Sequence, residues 1–118
     1  MTTRSVLSLA LVLGLALIFA APALAEDVSF KAVEKDGAKV WEGGGTIDSK
    51  MPVMIKVNNT LAAEHGFSID SMGVKDVIKP GEEKTITVSP DKIDKNVKEH
   101  RVYCQLHPKH VAGTIKVK

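Results

Sequence analysis

RVYCQLHPKHVAGTIKV, residues 101–117, reads as two strands around a loop of metal-binding side chains. Arg101-Val102-Tyr103-Cys104 and Gly113-Thr114-Ile115-Lys116-Val117 alternate apolar and polar residues, as strands with one buried face do. Between them lies the sole cysteine of the chain, Cys104, followed at intervals of three by His107 and His110. In a tight connection between strands that spacing can turn three side chains toward one point. Pro108 fixes its own φ and restricts His107 before it to extended forms, which stiffens the loop. A thiolate is a soft ligand and imidazole a borderline one. Together they suit copper, with zinc the main competitor.

Upstream, the same alternation recurs. Val28 to Val33, Val53 to Val57, Phe67 to Asp70, Asp76 to Ile78 and Thr85 to Val88 are short strands separated by turn residues. In Lys79-Pro80-Gly81-Glu82, Pro80 fixes φ and Gly81 can take a positive φ. Short alternating strands of this kind indicate an all-β sandwich or barrel. Its core would draw on Phe30, Val53, Ile55, Val57, Phe67, Ile69, Ile86, Val88, Val102, Ile115 and Val117. Two regions resist assignment. Val40-Trp41-Glu42-Gly43-Gly44-Gly45 is too rich in glycine to predict a strand, and Asp91 to Glu99 fits either a short helical turn or a charged loop.

Of the other histidines, His65 stands where a loop becomes a strand, immediately before Gly66-Phe67. A distant histidine joining a Cys-x-x-His loop would tie two parts of a sandwich together at a metal. His100 lies between Glu99 and Arg101. Alternation puts it on the side of Val102 but away from the loop, and its charged neighbours favour a surface histidine. Taken singly, Cys104 could be a small buried hydrophobe and His107 a surface residue. Taken together, three of four histidines and the one cysteine fall at loop–strand junctions, which points to a metal.

The start of the chain is of another kind. Arg4, the apolar run Val6 to Ala20 and the small residues of Ala21-Pro22-Ala23-Leu24-Ala25 have the order of a secretory signal. The run is shorter than the roughly 20 residues that span a bilayer, so cleavage after Ala25 is expected rather than a retained anchor. Residues 1–25 are then a signal peptide and residues 26–118 one domain, periplasmic or secreted. All 14 acidic residues and every basic one but Arg4 lie in that domain, so its net charge is about +1 with the two signs interspersed. No basic stripe marks a nucleic-acid surface, and no later segment is apolar enough to stay in a membrane. A lone cysteine sent to an oxidising compartment has three uses: an intermolecular bridge, an inert buried thiol, or a metal ligand.

At Gly66-Phe67, Pro80-Gly81-Glu82, Tyr103-Cys104 and the Cys-x-x-His loop the sequence resembles the cupredoxins, over about His65 to Val117. The resemblance implies a Greek-key β-sandwich with one copper ion, Cys104 as thiolate ligand and His65 and His107 as imidazole ligands. Within that superfamily, Gly66-Phe67-Ser68-Ile69-Asp70, Val77-Ile78-Lys79 and Cys104-Gln105-Leu106-His107-Pro108-Lys109 are similar to the nitrosocyanins, the red copper proteins. There His110, ahead of Gly113-Thr114, matches the second loop histidine and becomes the fourth ligand. The loop is shorter here, and the glutamate ligand of that group is replaced by His65. Glu64 precedes it and would point the other way. No methionine follows Cys104, which excludes a methionine-ligated site drawn from this loop. A single cysteine excludes the binuclear site with two bridging thiolates, and 118 residues are too few for a multicopper oxidase.

Those features imply a one-electron carrier cycling between Cu(II) and Cu(I), with redox proteins as partners and self-association left open. Three other uses stay open at this point: small-molecule binding or catalysis at an open copper position, copper storage or delivery, and a structural zinc.

Overall fold

In the computed structural model, residues 25–107 and 113–118 are described; the proposed signal segment before residue 25 and the stretch 108–112, with His110, lie outside the described residues. Alternation builds the sheets. In β1 (Glu26–Lys35), Val28, Phe30 and Ala32 are buried while Ser29 and Lys31 face solvent. In β3 (Val53–Asn59) the inward set is Val53, Ile55, Val57 and Asn59. The other strands are β2 (Ala38–Ile47), β4 (His65–Ile69), β5 (Val74–Ile78), β6 (Glu83–Val88), β7 (Glu99–Val102) and β8 (Gly113–Val117). The described residues contain no α-helix, only single 3-10 turns at Asp70–Met72 and Pro90–Lys92. Of the two readings left open for Asp91 to Glu99, each holds in part: Asp91 and Lys92 belong to the second turn, residues 93–98 are loop, and Glu99 opens β7.

Six strands form one sheet in the order β6-β3-β1-β2-β8-β7, and β4 pairs with β5 in a second. β1 runs parallel to β3, and β2 parallel to β8; the remaining pairs are antiparallel. Just past β7, Tyr103 makes an antiparallel bridge with Ser68 of β4, N–H to O distances being 2.9 and 3.0 Å, which stitches the two sheets together. Between them lies one core cluster, with Phe30 and Phe67 in edge-to-face contact at 5.4 Å. The expected core residues are buried except Ile86 and Val117, which pack partly buried at its margin; Trp41, Ile47, Met72 and Ile78 are among the others that join it.

β2 corrects one expectation. The glycine run does not end a strand; it lets β2 pass from β1 to β8. Gly43 and Gly44 have φ of +130° and +107°, where L side chains are strained. A Cβ at Gly43 would lie 2.1 Å from the Ser29 carbonyl oxygen, and one at Gly44 2.4 Å from that of Thr114. The bare backbone is therefore what allows the close approach.

Candidate metal centre

Cys104 follows the Ser68–Tyr103 bridge directly, so the bridge sets where its side chain leaves the backbone. The sulfur is buried in the seam between the two sheets. From the opposite sheet comes His65, the first residue of β4 and also buried. Its approach is organised by Asn59. That buried amide donates to the carbonyl oxygens of Ala63 at 2.8 Å and Ile78 at 2.9 Å, and its Oδ1 accepts from the Leu61 N–H at 3.0 Å. The loop leading into His65 is thus pinned to the end of β5. Glu64, one residue earlier, is exposed, as alternation predicts.

His65, Cys104 and His107 converge: one ligand atom from each lies within 4.8 Å of the other two. Cys104 Sγ is 3.5 Å from His107 Nδ1 and 4.0 Å from His65 Nδ1. The two imidazole rings are 5.4 Å apart at 56°. Bonds of about 2.3 Å to sulfur and about 2.0 Å to nitrogen, at tetrahedral or trigonal angles, separate S from N by about 3.5–3.8 Å. The donor atoms therefore stand close to the edges of a coordination polyhedron, and a soft thiolate with two imidazoles fits copper. Exposure is uneven across the group. Cys104 and His65 are shielded, whereas His107 is half-buried beside Leu106, which is 41% exposed.

Three further residues hold this arrangement, and the sequence reading had not singled them out. Trp41 of β2 donates from Nε1 to the Gly66 carbonyl at 2.8 Å and stands edge-on to His65 and Phe67. The Gly66 N–H donates to Cys104 Sγ at 3.1 Å. Gln105 accepts from Ser68 Oγ at 2.7 Å and donates to the Asp76 carbonyl at 2.9 Å. The third is Asn59. Trp41 was hidden by the glycines beside it, although a single tryptophan on an apolar position was a usable signal. The cavity touching His65 and Cys104 has a volume of about 10 Å³, room for one water at most. The larger surface grooves, of about 370 and 350 Å³, are lined by none of the three donor residues.

His100 is not in this group, as expected, but it is not a surface residue. It is fully buried at the start of β7, with Nδ1 2.6 Å from Ser71 Oγ. Glu99 and Arg101 point outward and His100 inward with Val102, so alternation outweighs the charge of its neighbours. Burial lowers its pKa; nearby Asp94 opposes that shift and Lys95 adds to it. Position 110 lies outside the described residues.

Comparison with known proteins gives the same fold. Residues 8–117 match the family described as Cupredoxin-like domain. The chain is similar to a copper nitrite reductase from Nitrosomonas europaea, at 18% identity and a TM-score of 0.60, over 80% of this chain and 42% of that one. It is also similar to a multi-copper oxidase from Pediococcus acidilactici, at 13% identity and a TM-score of 0.51, over 80% of this chain and 25% of that one. At these identities the likeness is one of fold, and this chain spans less than half the length of either. No curated protein sequence matches it.

Proposed function

This chain belongs to the cupredoxin-like domain family, and from that premise we propose that it is an exported protein that holds one copper ion and carries single electrons. The observation that carries the proposal is the convergence of one cysteine sulfur and two imidazoles from opposite sheets. His65, Cys104 and His107 would hold the ion, with His110 as the fourth ligand. Bound there, copper would supply a one-electron couple between Cu(II) and Cu(I).

The surroundings of the donors suit that use. Cys104 and His65 are fixed by buried hydrogen bonds from the Gly66 N–H and the Asn59-pinned loop, so little rearrangement accompanies a change of charge. His107, half-buried beside exposed Leu106, offers a short route from the site to a redox partner. Among the described residues, the cavity that touches His65 and Cys104 is about 10 Å³, room for one water at most. With His110 in place of a thioether, the set would be three imidazoles and a thiolate, related to the nitrosocyanin site but with His65 for its glutamate. A strong nitrogen donor as the fourth ligand weakens the copper–sulfur bond and lowers the potential. The order of charge, apolar run and small residues ahead of Glu26 supports export to the periplasm or beyond.

The test is reconstitution of the mature protein with Cu(II). One copper per chain, a thiolate-to-copper charge-transfer band and a reversible one-electron wave are expected. Cys104→Ser abolishes the band, and His110→Ala displaces it with copper retained. Absence of the band from the unmodified protein removes the thiolate-copper reading. A band that responds to azide, with no reversible wave, would instead favour an open coordination position and small-molecule chemistry.

A further inference from the structure

Alternation along β4 turns His65, Phe67 and Ile69 to one side and Gly66 and Ser68 to the other, yet all five residues are buried. What covers Gly66 and Ser68 is the side chain of Gln105, the residue after Cys104. Its Oε1 accepts from Ser68 Oγ at 2.7 Å, and its Nε2 donates to the Asp76 carbonyl on β5 at 2.9 Å. One amide therefore spans both strands of the second sheet, and neither a carboxylate nor an apolar side chain could make both bonds. The same amide fills the place where a side chain at position 66 would stand. A Cβ built there lies 2.2 Å from Oε1, 2.4 Å from Cδ and 2.9 Å from Nε2 of Gln105. Gly66 is not among the residues with positive φ, so its backbone does not demand glycine; Gln105 does.

Gly66 has a second tie to the cysteine loop. Its N–H reaches Cys104 Sγ at 3.1 Å, and its carbonyl is held by Trp41. Any displacement of this residue is felt at the sulfur. We propose that Gln105 is a positioning residue for the metal site: seated on the bare Cα of Gly66, it locks the cysteine loop to β4 and β5 and so fixes the N–H that meets the Cys104 sulfur. The proposal rests on Cys104 being a ligand, as argued above.

The experiment is a double-mutant cycle on the mature protein. In the copper-free state, Gly66→Ala evicts the amide and Gln105→Ala deletes it, so each loses the same two hydrogen bonds. Each lowers the folding equilibrium constant about tenfold. Because they remove one shared contact, the double variant falls no more than about threefold below either single one. Independent roles would multiply instead, to about a hundredfold, and that result overturns the clamp. With Cu(II) bound, both single variants keep one copper per chain and displace the charge-transfer band and the reduction potential in the same direction. A band and potential unmoved while stability falls would make Gln105 merely structural and overturn the positioning role. Should Gln105→Ala not fold, Gln105→Met keeps the bulk, loses both hydrogen bonds and is held to the same spectroscopic outcome. A wild-type protein with no band sinks the copper reading and this role with it. A multiplicative cycle beside an intact wild-type band sinks the clamp alone.

Discussion

The imidazole of His100 is sealed at the start of β7 with Ser71 Oγ on Nδ1 and, among the described residues, no hydrogen-bond partner on Nε2. Charging that ring inside the core is unfavourable, so burial lowers its pKa, with the Asp94 carboxylate opposing and the Lys95 ammonium reinforcing the effect. The sign follows from linkage. Below the unfolded value near 6.5 the unfolded chain takes up a proton that the folded one refuses, so stability is full above that pH and lost as pH falls toward the folded value. For one such group the slope is at most about 1.4 kcal/mol per pH unit. Copper-free protein unfolded at a series of pH values from 7.5 downward should show this loss, and His100→Gln should flatten it. Equal slopes in the two proteins would remove His100 from the account. The residue was half legible in the sequence: period-two alternation assigned its side correctly, but Glu99 and Arg101 made it look solvated. A strand's charged outer face says nothing of how deep its inner face lies.

At the scale of elements, strands with one wet face, such as β1, β3 and β7, were readable, and β2 was not, because its middle is shaped by neighbours on both edges. Gly43 and Gly44 answer to backbone atoms of Ser29 and Thr114, which lie far away in sequence. The turn glycine Gly81 differs: its φ is +75°, but a Cβ there meets open space. These two cases separate conformational strain from collision. Gly81→Ala carries only the left-handed term, about 1–2 kcal/mol. Gly43→Ala adds a backbone collision that no rotamer can relieve, and should cost at least about 3 kcal/mol or block folding. Denaturant midpoints of the two variants measure the difference. Equal losses would mean that β2 moves freely away from β1, against the register that pairs Phe30 with Gly43.

For the molecule as a whole, the pairing of β1 with β3 and of β2 with β8 in parallel joins segments that no local pattern relates. The meeting of His65 with Cys104 was suggested by their places at loop–strand junctions and by resemblance, but only the assembled sheets bring them together. That topology has an energetic consequence. The two-stranded sheet is tied to the rest by the Ser68–Tyr103 bridge and shared core, while His65 stands on one sheet and Cys104 and His107 leave the other. A metal held by all three is a cross-link between sheets, present in the folded state only. At a free concentration a hundred times the dissociation constant, such a ligand adds about 2.7 kcal/mol. For a domain of roughly a hundred residues that raises the melting temperature by roughly 10–20 °C. Trp41, the single tryptophan, lies edge-to-face with His65 at 6.5 Å between ring centroids, so its emission reports both unfolding and copper arrival. Melting followed at this residue should move upward on adding Cu(II), return on chelation, and gain far less in Cys104→Ser. If Cys104→Ser gains as much as the unmodified protein, copper stabilises from some other place, and the seam between the sheets is not where it binds.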